Sequence, residues 1–177
     1  MKGLRLTSIV AGLAVVLLFA HQQGSLQGVL DLFWLGSSNR EDVIEGVAEI
    51  SDGDTLKIGD VRLRIGKIDA PESDQTCTTP SGKSWRCGDV AAAKLGKLVA
   101  GRIVTCRKTD SDRYGRIVGD CSVEGQDIAR WMVGAGWAMA YRRYSWRYVF
   151  DEFQAKRLKR GVWIGTMQPP WDWRASH

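Results

Sequence analysis

Histidine is almost missing from this chain of 177 residues: only His21 and His177 occur. The four cysteines, Cys77, Cys87, Cys106 and Cys121, contain no C-x-x-C pair. Together these absences argue against a zinc centre, which draws on imidazole and closely spaced thiolates. Apolar runs are short. The longest, Ile9–Ala20, falls below the ~20 residues that span a bilayer, although Lys2 and Arg5 precede it and polar His21-Gln22-Gln23-Gly24 follows. That order is the one expected of an export signal, or alternatively an uncleaved anchor, over residues 1–21. A buried helix of the fold would not stop so abruptly in polar residues. No internal repeat is present. The net charge of +5 is a modest excess, compatible with a polyanionic partner without specifying one.

Export implies an oxidising compartment. Four cysteines allow three pairings, of which Cys77–Cys87 and Cys106–Cys121 are favoured. The first would staple a polar loop. The second would cross a hairpin centred near Arg113 and Tyr114, where opposed strand residues come within disulfide reach. Each would add roughly 2–4 kcal/mol by restricting the unfolded chain. The alternative, four reduced and half-buried thiols, fits the export signal less well.

Residues 22–42 show no clean period and read as a linker; the folded domain is expected over 43–177. Leu56 and Ile58, then Val61, Leu63 and Ile65, alternate with polar residues around Gly59-Asp60, the pattern of a tight hairpin with Arg62 and Arg64 on the face opposite the apolar one. Residues 73–88 are polar and loop-like. Asp89 is expected to cap a helix over 90–100 with Ala92, Leu95, Leu98 and Val99 facing inward and Gly101 ending it. Strands are expected near 103–107 and 116–123. A helix capped by Asp127 would bury Ile128, Trp131, Met132 and Ala135, and Gly136 would stop it. A short strand over 137–141 and a last helix over 146–160, with Val149, Phe150, Phe153 and Leu158 inward, complete the pattern. About five strands and three helices in this order predict an α+β domain, compatible with a five-stranded barrel carrying packed helices. Trp85, Trp131, Trp137, Trp146 and Trp163 read as packing residues. Tyr114, Tyr141 and Tyr144 are the better stacking candidates. Arg142-Arg143 would either track a phosphate backbone or form a solvated loop.

Three segments carry chemistry: Asp52-Gly53-Asp54-Thr55, Arg64 to Glu72 (RIGKIDAPE) and Asp112 to Arg116 (DRYGR). Asp54 and Asp69 flank one hairpin, so the fold can bring them together. Two carboxylates with a backbone carbonyl and waters make an oxygen-only site suited to a hard cation, Ca²⁺ or Mg²⁺. Arg64 and Arg116 can hold phosphate oxygens bidentately and stabilise a five-coordinate phosphorus. Glu72, fixed beside Pro71, can orient or deprotonate a water. Each feature alone has a plain structural reading: an Asp-Gly turn, solvated strand arginines, a loop glutamate. The combination is what a phosphodiesterase needs.

In this combination and order, the three segments closely resemble the staphylococcal-nuclease family, from about Val47 to the C-terminus. Gly161-Val162-Trp163 and the tail Pro169-Pro170-Trp171-Asp172-Trp173 resemble exported bacterial members. The resemblance implies an OB-fold barrel with three helices and a Ca²⁺-dependent nuclease acting on DNA or RNA and leaving 3′-phosphate ends. It implies Asp54, Asp69 and the backbone of Ala70 as metal ligands, Arg64 and Arg116 as phosphate-binding residues and Glu72 as general base. Ala70 stands where the best-known member has threonine, a change that a backbone ligand tolerates. Tyr114 matches a tyrosine of the nucleotide pocket. Tyr141 lies near another, with the spacing after Gly136 one residue shorter. The four cysteines depart from the cysteine-free family pattern. A periplasmic or secreted monomer is expected, touching a membrane only through an N-terminal anchor. The competing reading is a catalytically inactive OB-type module of the cell envelope that binds nucleic acid or protein. A third is a disulfide-stapled envelope protein with no nucleic-acid role. The presence of all five site side chains favours the enzyme.

Overall fold

The computed structural model describes residues 42–177. The expected signal or anchor over 1–21 and the linker as far as residue 41 lie outside the described residues.

Alternation of apolar and polar side chains builds the first sheet. β1 (Val43–Ile50) pairs antiparallel with β2 (Thr55–Ile58), which turns at Gly59-Asp60 into β3 (Val61–Ile65). Gly59 takes φ +57°, the left-handed conformation that a tight hairpin turn favours. Leu56, Ile58, Leu63 and Ile65 are buried, whereas Arg62 is exposed. β4 (Ile68–Asp69) follows, then the short ribbon β5 (Cys77–Thr78) and β6 (Ser84–Trp85), helix α1 (Cys87–Val99), and the hairpin β7 (Ile103–Ser111) and β8 (Ile117–Val123). β7 pairs with β1, and β8 pairs with β3 in parallel, Leu63 opposite Ile117 and Arg64 opposite Val118. That last pairing closes a five-stranded barrel, β3-β2-β1-β7-β8, as the OB-fold expectation requires.

β9 (Gln126–Asp127) leads into α2 (Ile128–Gly134), capped by Asp127, whose side chain accepts from the Arg130 N–H. β10 (Met139–Ala140) pairs with β4, setting Met139 opposite Asp69. α3 (Val149–Arg157), a 3₁₀ turn (Gly161–Ile164) and α4 (Pro170–Ser176) complete the chain. The described residues thus hold four α-helices, one more than expected, and the extra one is the C-terminal helix.

Several local expectations change. α1 starts at Cys87, and Asp89 lies in its first turn instead of capping it. Ala91, not Ala92, joins Leu95, Leu98 and Val99 in the core. α2 buries Ala129 and Val133 with Ile128 and Met132, while Trp131 and Ala135 are half-buried. In α3 the expected stripe fails: Phe150, Phe153 and Leu158 are exposed, and Glu152 and Ala155 are buried. Glu152 accepts from the Ala140 N–H at 2.8 Å and pairs with Arg142 and Lys156, so a buried ion-pair network replaces an apolar seam. The same network engages Arg142; both it and Arg143 are exposed. Trp146 is exposed, and Tyr148 takes the core position, its hydroxyl donating to Asp127.

Candidate active site

Asp54 and Asp69 meet in the interior. Asp54 enters β2 from a turn in which Ser51 and Asp52 N–H groups both donate to the Thr55 carbonyl. A Cβ on Gly53 would lie 2.7 Å from the Ala70 Cβ, so only glycine lets this turn seat against Ala70. Asp69 ends β4 and is fixed by the β10 pairing. Both carboxylates are almost fully buried, at 3% and 0% exposure. Arg64 joins them: its Nη2 lies 2.7 Å from Asp54 Oδ2 and 2.6 Å from Asp69 Oδ1, and its Nη1 donates to Asp54 Oδ1 at 3.0 Å. The Ala70 N–H donates to Asp54 Oδ2 at 3.2 Å. Burial pushes the Asp54 carboxyl well above the ordinary carboxylate value. Arg64 opposes that shift, while Asp52 and Asp69 add to it.

Arg116 reaches the same cluster from the turn that leads into β8, the strand paired with β3. The DRYGR turn is built on Asp112, which accepts from the Tyr114 and Arg116 N–H groups at 2.9 Å and from Arg116 Nε at 2.7 Å. Arg116 Nη1 then meets the Thr55 hydroxyl at 3.3 Å, and that hydroxyl donates to Asp54 Oδ1 at 3.1 Å. Desolvation pushes the Asp112 carboxyl up, but the hydrogen bonds from Arg116 and Tyr114 outweigh it and hold the group below its ordinary value. Tyr114 is exposed, with the Arg116 and Arg113 guanidinium groups 5.7 and 4.9 Å from its ring centroid.

Glu72 sits on a loop tied at three points. Its N–H donates to Gln75 Oε1 at 3.1 Å, its carbonyl accepts from the Gln75 N–H at 2.8 Å, and Gln75 is fully buried. Gly88, in the first turn of α1, packs so tightly on the Glu72 carbonyl that an added Cβ would fall 1.7 Å from it. The Cys77–Cys87 disulfide locks that turn beside the loop. The second disulfide joins Cys106 and Cys121, directly opposed on β7 and β8. Both favoured pairings are thus present.

One site residue had no signal in the local sequence. Arg174, on α4, places Nη2 2.7 Å from Asp69 Oδ2 and Nη1 3.1 Å from Asp69 Oδ1, and it also pairs with Glu72. Those carboxylates raise its pKa despite the opposing effect of desolvation. On the same helix Trp171 stacks on Tyr141, centroids 5.5 Å apart and planes 2° from parallel, and Tyr144 packs edge-on to Tyr141. Thr55 and Asp112 were within quoted motifs but carried no expected role. A contact between Arg174 and Asp69 spans 105 positions and follows from no spacing rule.

The donor set suits a hard divalent cation. Both carboxylates are buried, and among the described residues all four cysteines are in disulfides and no histidine bonds to either carboxylate. Among the described residues no three His, Cys, Asp or Glu side chains gather closely enough to cage an ion alone. The pair would therefore be completed by backbone oxygen and water, a common arrangement for Ca²⁺ and Mg²⁺.

Comparison with known proteins agrees with this geometry. The family model described as staphylococcal nuclease homologue matches residues 62–165. The succinoglycan biosynthesis protein ExoI of Rhizobium meliloti is 32% identical over 165 residues, covering 92% of this chain and 78% of its own. An uncharacterized endonuclease of Escherichia coli is 36% identical over 141 residues, covering 75% and 86%. The probable staphylococcal-like nuclease CAN1 of rice is 35% identical over 116 residues, covering 64% of this chain and 32% of its own. With a family match over more than half its length and a barrel that gathers Asp54, Arg64, Asp69, Glu72 and Arg116 around one pocket, this chain belongs to the staphylococcal nuclease family.

Proposed function

We propose that this protein is an exported, Ca²⁺-dependent endonuclease that hydrolyses phosphodiester bonds of DNA or RNA and leaves 3′-phosphate ends. The observation that carries the reading is the convergence of Asp54, Asp69, Arg64 and Arg116, linked through the Thr55 hydroxyl. Family membership supports the hydrolytic activity, and two disulfides suit an oxidising compartment outside the cytoplasm.

Asp54, Asp69 and the Ala70 carbonyl would hold the ion. When bound, the ion supplies Lewis-acid polarisation of the phosphate and a more acidic water. Glu72, on its braced loop, takes the proton of the attacking water. The water oxygen forms a bond to phosphorus as the P–O5′ bond breaks, and the departing 5′ oxygen takes a proton from solvent water. Arg64 and Arg116 hold the non-bridging oxygens while negative charge builds there. Asp112 keeps Arg116 aimed at the pocket. Tyr114 and Tyr141 offer stacking surfaces to flanking bases.

Incubating the purified protein with plasmid DNA and with RNA, in Ca²⁺ and in EDTA, tests this. Calcium-dependent cleavage with 3′-phosphate termini is expected. Nucleic-acid binding without cleavage would instead make the chain a binding module.

A further inference from the structure

α4 does two things at once. Through Arg174 it puts a cation onto Asp69 and Glu72, and through Trp171 it covers one face of Tyr141. Residues 171 and 174 are three apart on a helix, so one face carries both groups.

The lone pairs of the carboxylate pair are nearly all taken. Asp54 Oδ1 receives Arg64 and the Thr55 hydroxyl, and Asp54 Oδ2 receives Arg64 and the Ala70 N–H. Asp69 Oδ1 receives Arg64 and Arg174, and Asp69 Oδ2 receives Arg174. A divalent ion cannot take Asp69 while the Arg174 guanidinium holds both of its oxygens, and it cannot take Asp54 until Arg64, which holds both oxygens of that carboxylate, turns toward a phosphate. Charge repulsion between the ion and Arg174 adds to that exclusion.

The helix is built to leave. It has seven residues, too few to persist without tertiary contacts, and only Pro170 among them is buried. The chain just before it is firmly held: Thr166 exchanges two backbone hydrogen bonds with Thr78, and the Gln168 carbonyl accepts from the buried Gln75 side chain at 2.7 Å. Pro169-Pro170 then forms a stiff joint between a fixed strap and a short helix held by the Arg174 ion pairs and the Trp171 stack.

We infer that α4 is an intramolecular occupant of the active site, with Arg174 standing in for the metal ion and Trp171 for a stacked nucleobase, so that metal binding requires α4 to withdraw. The inference rests on the reading of Asp54 and Asp69 as the metal site. It makes Arg174 and Trp171 determinants of metal affinity, although Trp171 touches neither carboxylate.

The test is calorimetric titration of the full chain with Ca²⁺ alone, together with hydrogen exchange of the peptide covering 168–177. Saturating Ca²⁺ is expected to raise exchange over α4 in the unmodified protein. Arg174→Ala is expected to bind Ca²⁺ about tenfold more tightly, with exchange already high in the absence of the ion, because the occluded population no longer reduces the apparent affinity. Trp171→Ala is expected to shift affinity in the same direction. Unchanged or weaker Ca²⁺ binding in Arg174→Ala would overturn the inference and leave Arg174 as a brace for Asp69 and Glu72. Tightening in Arg174→Ala but not in Trp171→Ala would also overturn it, since charge removal alone would then explain the effect. Failure of the metal-site reading itself has a different signature: the unmodified protein, Arg174→Ala and Asp69→Ala would all bind Ca²⁺ indistinguishably.

Discussion

The two disulfides enclose loops of similar size but lie at different distances from the chemistry, and that contrast makes a sharp prediction. Cys77–Cys87 closes a separation of ten residues and Cys106–Cys121 one of fifteen. In the chain-entropy account, losing them costs ~2.7 and ~3 kcal/mol respectively. For a folded unit of this size that is a fall in melting temperature of roughly 9–10 °C for either pair. All four sulfurs belong to buried residues, so Cys→Ala leaves comparable small voids. Activity should separate the pairs. Cys87 opens α1 next to Gly88, whose backbone presses on Glu72, and its Sγ lies 3.5 Å from the carbonyl of Gln75, the residue that holds Glu72. Around it are Val162, Trp85, Trp137, Trp163 and Met167, a small core separate from the barrel. Cys106–Cys121 bridges two strands already paired on either side of it, the ladder shifting register only further along, between Lys108 and Asp110. We therefore expect Cys77→Ala/Cys87→Ala to lose at least about tenfold in kcat at 20 °C, and Cys106→Ala/Cys121→Ala to stay within about twofold. The assay is thermal unfolding by circular dichroism alongside initial rates on plasmid, well below both transitions. Equal activity losses, or a larger loss in the strand pair, would refute the claim that the first bridge positions Glu72.

Three further outcomes are expected. Arg64→Ala and Arg116→Ala should each lose roughly 10²–10³ in kcat, and a single-turnover assay showing less than tenfold for either would remove it from the phosphate clamp. Asp54→Asn should abolish metal-dependent cleavage yet leave the metal-free protein as stable or more so, because the buried carboxylate is costly to ionise; a lower urea midpoint at pH 7 would contradict this. Asp112 has a lowered pKa, so its contribution to stability is complete above the ordinary carboxylate value and is lost as pH falls through the lowered one. As pH falls below about 4, urea midpoints of the unmodified protein should therefore drop more steeply than those of Asp112→Asn.

Much of the barrel could be read directly from side-chain alternation. The β2–β3 hairpin and the turn at Gly59 follow from period-two apolar residues, and the Asp127 cap and the Gly136 stop are strong local signals. The site acids and arginines were legible because motif order fixed their identity. The meeting of Asp54 with Asp69 was expected from the hairpin they flank, but the approach of Arg116 was not, since it depends on β3 pairing with β8. Pattern reading failed where burial was polar. Glu152 lies inside because Ala140, Arg142 and Lys156 satisfy it, so Phe150 and Phe153 turn outward against the expected stripe. It failed again at Arg174, a residue whose partners are set by a chain reversal through two prolines rather than by any repeat.

Because Arg64 belongs to β3 and Arg116 to the turn that feeds β8, the gap between the two guanidinium groups is set by the single parallel seam of the barrel. On the proposed reading, opening that one seam would part the two guanidinium groups while leaving the β1, β2 and β7 pairings in place, so cleavage would fail before most of the sheet does.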